Sequence, residues 1–524
     1  MALRDNKATT QSGVLEGALS ADGKVSVFRG VPFARPPVGA LRWRPPQAPQ
    51  RWDGVRAAKK FAPVCIQAPR PSGSISDFGV ETDDEDCLYL NIWSAAEGPG
   101  EKRPVMLWVH GGGFSYGSGS LPLFDGAALA RRGVVLVTIN YRMGPLGFLA
   151  HPELSEESPH GVSGNYGFFD QIEALRWVSQ NIAAFGGDRD RVTIFGQSVG
   201  SSSVSCLLAS PLAKGLFHRA ICQSGGSLSP LGAPGGGSMQ TLVDAHARGV
   251  EFLRHHKAAC IAEMRARPAR PFQLPPADER DDPWAARQIN MLLRNSGWVI
   301  VDGYAVPTRV HDIFSGGAQN DVPVITGANS HEGSTAPAIA NLQEYEAWCR
   351  GLYGDAMEEL FALYGVRSAP DVADVARRIN GHRTFNWQNW TTLRLQARTA
   401  KSAAFGYHFR RQQPFPPGAR YWDHATEKLG AFHTAEIPYV YDHLAVRDWP
   451  WREEDRALAN TMSSYWVNFA ANGDPNDVGL PIWPRYGATS QEVMIFGDEA
   501  RAGAMPDQDK FAFWDRFFGK QLHP

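Results

Sequence analysis

Two short runs, Val105-Met106-Leu107-Trp108-Val109 and Val134-Val135-Leu136-Val137-Thr138-Ile139, are apolar and β-branched without any polar alternation. A strand with one wet face alternates, whereas a strand apolar on both faces must be covered on both, the condition of a parallel sheet flanked by helices. Ahead of a third such run, Val192-Thr193-Ile194-Phe195, the residues Ile172, Leu175, Val178 and Ile182 recur at spacings of three and four. That stripe predicts a helix stopped by Gly186-Gly187. The small-residue segment after Ser198 reads as the next helix, and 219–223 and 322–326 read as further core strands. Strand and helix in alternation predict an α/β chain with a mostly parallel, doubly wound central sheet.

At 524 residues, length alone suggests three or four domains, a soft prior that a large α/β core with insertions also satisfies. With 43% hydrophobic and 20% charged residues, the chain can bury a large core, which argues against wholesale disorder. Fifty-two basic against 54 acidic side chains, a net charge of -2, give no electrostatic reason to expect nucleic acid or an anionic membrane as partner. The longest apolar runs fall far short of the roughly 18 to 20 residues that span a bilayer, so no membrane span is expected. The first residues, Met1-Ala2-Leu3-Arg4-Asp5, lack the apolar core of a secretory signal. Sixteen Trp are about double ordinary usage and fit a Trp-rich core better than aromatic-lined cavities. Pro230 to Ser238, dense in Gly and Pro, reads as a flexible surface loop. None of the six Cys forms a CxxC pair, so no metal site built from Cys is expected, and Cys206 and Cys222 read as buried thiols.

The chemistry concentrates around Gly196-Gln197-Ser198-Val199-Gly200, set between a strand and a helix. That is the context of a nucleophile elbow, a turn so tight that its flanks must be Gly, which lifts the Ser198 hydroxyl above the carboxyl edge of the sheet. About 85 residues upstream, His110-Gly111-Gly112-Gly113-Phe114 follows directly on a buried strand. Successive glycines let N–H groups converge on one spot, as an oxyanion hole requires, and Gly112, Gly113 and Val199 are the candidate donors. A phosphate-cradling loop is the competing reading, but no GxxxxGK[ST] follows.

These motifs resemble the type-B carboxylesterase and cholinesterase family of α/β-hydrolases almost end to end. The resemblance runs through Phe28-Arg29-Gly30-Val31-Pro32-Phe33-Ala34, Glu85-Asp86-Cys87-Leu88-Tyr89-Leu90-Asn91, Gly164-Asn165-Tyr166-Gly167 and Gly473-Asp474-Pro475-Asn476. It implies an α/β-hydrolase fold with helical cap insertions: one domain over 8–520, with insertions at roughly 226–320 and 334–410. It also implies a serine esterase acting on small-molecule esters, needing neither metal nor cofactor, as a monomer or homodimer. In family order, Glu332 in Asn329-Ser330-His331-Glu332-Gly333 matches the triad acid, and His433 in His433-Thr434-Ala435-Glu436-Ile437-Pro438 matches the base. By residue chemistry alone His408, His424 or His443 could serve as well, and a zinc-protease reading fails at His331-Glu332 because HExxH is absent.

The resemblance further implies a Cys65 to Cys87 disulfide, worth roughly 3 kcal/mol and suggesting a secreted or periplasmic protein. Asn389-Trp390-Thr391 is a lone glycosylation sequon. Within Phe385-Asn386-Trp387-Gln388-Asn389-Trp390, an aromatic pocket wall competes with a helix packing its rings into the core. Two departures weigh against choline esters: Gln197 replaces the family's acidic residue beside the serine, and no Trp occurs from 66 to 86. Uncharged esters are therefore expected, and a looser resemblance points to bacterial esterases that open large polyesters such as fumonisin. The competing class is a cholinesterase-like binding or adhesion module without catalysis, which typically lacks the serine.

Overall fold

The computed structural model describes residues 3–67, 73–75, 77–79, 81–233, 238–273, 298–333, 341–366, 372–421 and 429–522. Its main sheet has eleven strands. In chain order they are β1 Ala18–Leu19, β2 Ser26–Pro32, β3 Tyr89–Ser94, β4 Arg103–Val109, β5 Val135–Ile139, β6 Gly187–Gln197, β7 Arg219–Gln223, β8 Val324–Asn329, β9 Ala404–Phe409, β10 Glu492–Phe496 and β11 Ala500–Ala504. Across the sheet the order is β11-β10-β9-β8-β7-β6-β4-β5-β3-β2-β1. Every pairing from β5 through β10 is parallel, and both flanks are antiparallel.

The unbroken apolar runs have the expected cause. On β4, Val105, Leu107 and Val109 enter one core cluster while Met106 and Trp108 enter a second on the opposite face. Both faces are therefore dry. The predicted helix is α1, Tyr166–Asn181, with Ile172, Leu175 and Val178 buried, and a short 3-10 turn carries the chain to Gly186. β6 starts five residues before the apolar run that announced it, because Gly187 pairs with Arg103 across an irregularity, and the polar Asp188-Arg189-Asp190-Arg191 hides that start. After Ser198 comes α2, Val199–Ala209, buried along its whole length. Its small side chains let it sit tightly behind the sheet. Seven Trp, 43, 93, 108, 387, 466, 483 and 514, are among the largest fully buried side chains, so the Trp excess is mainly core.

One expectation is corrected, and one open question is answered. Cys65 and Cys87 are free thiols, both buried. Cys65 Sγ accepts the Met143 N–H at 3.3 Å, and its contact with Cys87, together with burial, pushes the Cys87 thiol well above its ordinary range. A disulfide therefore gives no argument for an oxidising compartment. The sequon fails for a different reason: Asn389 lies on α3, Trp387–Thr399, and is buried, accepting the Gly225 N–H at 2.8 Å while donating to Thr326 Oγ1 at 2.8 Å. No glycan can reach it in the folded state. The loop at 230–238 lies partly outside the described residues. Among the described residues, no helix is long and apolar enough to cross a membrane.

Burial also fixes an acid sensitivity. The imidazole of His408 on β9 is held down at about 4 against an ordinary 6.5 by burial, and that of buried His382 at about 3. Between the folded and ordinary values the unfolded chain binds the proton and the folded chain does not, so stability falls as pH drops from 6.5 towards 4. For His408 the loss across that window is on the order of 3 kcal/mol. His408→Leu should flatten the decline of Tm between pH 6.5 and 4, measured by scanning calorimetry; slopes identical to the parent would refute the assignment.

Candidate active site

The end of β6 delivers Ser198 into a turn with φ 61° and ψ -128°, a conformation that L-residues adopt only under constraint. Neighbouring backbone enforces it. A Cβ at Gly196 would stand 2.6 Å from the Gly200 carbonyl carbon, and one at Gly200 only 2.1 Å from the Val109 oxygen. The glycines of the pentapeptide are thus required by close approach of β4 and α2. Ser198 itself is partly exposed at the N-terminus of α2, where first-turn N–H groups lack helical partners.

The loop after β4 packs on this turn. A Cβ at Gly111 would lie 3.1 Å from the Ser198 Cβ and 2.7 Å from the Gln197 carbonyl oxygen. Gly112 and Gly113 follow with φ of 113° and 64°. The structure therefore sets the candidate donors Gly112, Gly113 and Val199 in two segments that touch beside the serine.

The Glu332 and His433 segments are joined by backbone and side chain. The His331 N–H donates to the Ala431 carbonyl at 3.0 Å, and Asn329 Nδ2 donates to the Phe432 carbonyl at 2.8 Å. Glu332, at the end of β8, is buried; its Oε2 pairs with His433 Nδ1 and its Oε1 accepts the Asn329 N–H at 2.6 Å. With Nδ1–H committed to Glu332, Nε2 is the acceptor of the neutral ring. The Gln197 amide nitrogen lies 3.1 Å from it and 3.3 Å from Nδ1. No hydrogen bond joins Ser198 Oγ to His433 among the described residues. The imidazole is engaged by the residue next to the serine instead.

Phe385 stacks on the His433 ring, with centroids 4.4 Å apart and planes at 28°. It sits in a π-helical turn, His382–Asn386, of a kind that recurs at functional sites. The aromatic segment is divided between its two readings: Phe385 faces the site, while Trp387 and Trp390 are buried in the core. Of the rival histidines, His408 is buried on β9, His443 follows the helical segment Ile437–Val440, and His424 lies outside the described residues. His331 turns to Ser330, whose hydroxyl lies 2.8 Å from its Nδ1. Among the described residues, no group of three or more His, Cys, Asp or Glu is placed to hold a metal ion.

Sequence reasoning missed Asn329, Gln223 and Glu436. The signal available was spacing: Asn329 stands three residues before Glu332, and Glu436 three after His433.

A mostly parallel sheet, a strained serine turn at a strand's carboxyl end and a carboxylate-bound histidine define an α/β-hydrolase. The chain belongs to the carboxylesterase family, whose model matches residues 4–514. It is 40% identical over 516 residues to the fumonisin B1 esterase of Sphingopyxis macrogoltabida, covering 94% of this chain and 87% of that one. It is 30% identical over 518 residues to the para-nitrobenzyl esterase of Bacillus subtilis, covering 96% and 97%. A solved para-nitrobenzyl esterase structure superposes with a TM-score of 0.78 at 29% identity, over 99% of this chain and 100% of that one. The protein is accordingly an enzyme of carboxylic-ester hydrolysis.

Gln197 sets a neutral amide where a carboxylate would favour the imidazolium. Gln197→Glu is therefore expected to move the acid limb of the kcat/KM profile upward by about one pH unit. A pH-rate series on one neutral ester measures it; an unmoved limb would show that Gln197 exerts no electrostatic control over His433.

Proposed function

We propose that this enzyme hydrolyses uncharged carboxylic esters through an acyl-enzyme on Ser198, with His433 as general base and Glu332 as its orienting acid. The observation that carries this reading is a glutamate-bound imidazole, Glu332 with His433, beside a serine held in a strained turn at the sheet edge. A neutral serine hydroxyl is a poor nucleophile, so the Nε2 of His433 must take its proton as Oγ attacks the ester carbonyl. For that step the Gln197 amide gives way to Ser198. The developing oxyanion is met by the N–H groups of Gly112, Gly113 and Val199, each worth roughly 10²- to 10³-fold in rate. His433 then returns the proton to the departing alcohol, and water repeats the sequence on the acyl-enzyme. On this reading 8–520 form one α/β core, because residues as far apart as Ser198 and His433 must act within hydrogen-bond reach.

The substrate preference rests on charge. Gln197 is neutral and buried beside the base, which removes the negative potential that would draw a cationic alcohol group. A second substrate reading, a bulky polyester, is favoured by the 40% identical relative named fumonisin B1 esterase. Non-catalytic adhesion is the outcome against which both are tested.

Ser198→Ala should lower aryl-ester turnover on the order of 10⁶-fold, and a fluorophosphonate should label the parent at Ser198 alone. Retention of more than a few per cent activity, or no labelling, would overturn the assignment. Uncharged esters should be cleaved faster than choline esters of the same acyl group, compared by kcat/KM at one ionic strength; the reverse order would reject the charge argument.

A further inference from the structure

Glu436 lies three residues beyond His433, is fully buried and has no part in the ester chemistry above. Its two oxygens accept from two different strand ends. Gln223 Nε2, closing β7, donates to Oε1 at 3.2 Å, and Asn329 Nδ2, closing β8, donates to Oε2 at 2.6 Å.

Each of those donors also holds a different part of the triad. The Gln223 carbonyl accepts the Ser198 N–H at 2.9 Å, and the Gln223 side chain is anchored from behind by Trp466 Nε1 at 3.1 Å. The Asn329 N–H donates to Glu332 Oε1, and Asn329 Nδ2 also donates to the carbonyl of Phe432, the residue before His433. One carboxyl thereby joins the serine turn, the acid loop and the base loop. Taking a carboxylate out of water is expensive, and an apolar side chain of the same size would fill the space without that penalty. Burial and the nearby Glu332 charge push the Glu436 carboxyl up to about 7.

We propose that Glu436 is a positioning residue: through Gln223 and Asn329 it locks the three triad-bearing segments in register. The inference rests on the Ser198–His433–Glu332 reading. The titratable groups facing Glu436 are Glu332, His433 and, from β9, Tyr407, whose phenol burial and Glu436 together push well above its ordinary range. Its other hydrogen-bond partners are the neutral amides of Gln223 and Asn329.

Glu436→Gln keeps the shape but turns an N–H2 group towards one of the two amide donors. We expect kcat to fall about 10- to 100-fold while KM changes by less than about twofold. Gln223→Met removes one donor but keeps the carbonyl that holds Ser198, and should lower kcat by a smaller amount, even if Glu436→Gln fails to fold. An unchanged kcat in the folded variants overturns the proposal, since a packing role lowers Tm without splitting kcat from KM. Fluorophosphonate labelling of the parent separates the two failures. An unlabelled parent sinks the triad reading, whereas a labelled parent with unmoved variants sinks only the role of Glu436.

Discussion

Ser198 is held in a backbone conformation that it would leave if the surrounding chain allowed it, and the rest of the site is arranged around that constraint. Four backbones crowd the turn. β4 and α2 press on the glycines at 196 and 200, the loop at Gly111 closes one side, and Gly225 closes another, where a Cβ would meet the Ser198 carbonyl oxygen at 2.2 Å. Gly225 is in turn fixed by the buried Asn389 on α3, which also bonds Thr326 on β8. The residue that looked like a glycan acceptor is therefore a tie between the serine turn and the strand that carries the acid. Strain of this kind persists only when many contacts determine it together, and here they come from four strands and two helices.

The sheet was legible because its constraint is local. A strand buried on both faces shows an unbroken apolar run, and β4 and β5 announce themselves by that alone. β6 was legible only in its second half, since its first residues pair near the surface and carry charge. The serine turn and the glycine loop were legible for a related reason: close backbone approach excludes side chains, and glycine spacing records it.

What stayed hidden is relational. Asn329, Gln223 and Glu436 act through partners roughly a hundred residues or more away, and no periodicity marks a buried amide that bridges two strand ends. The Cys65 and Cys87 reading erred in a similar way. Spacing and family likeness pointed to a covalent link, while the folded chain buries both thiols side by side and uses the Cys65 sulfur as an acceptor for Met143.

The charges around His433 are unevenly placed, and that asymmetry is the feature most specific to this chain. Glu332 sits on Nδ1 and Glu436 one residue removed through Asn329, while the neutral Gln197 amide lies 3.1 Å from Nε2 and 3.3 Å from Nδ1. On the proposed mechanism the Glu332 carboxylate stabilises the imidazolium during proton transfer, while the neutral residue beside the serine adds no negative charge to the site. A carboxylate at 197 would act on both at once, raising the basicity of the ring and attracting cations to the same place. On that reading the proton transfer is left to Glu332, and the buried, neutral Gln197, with Phe385 stacked on the imidazole, sets the charge preference of the site.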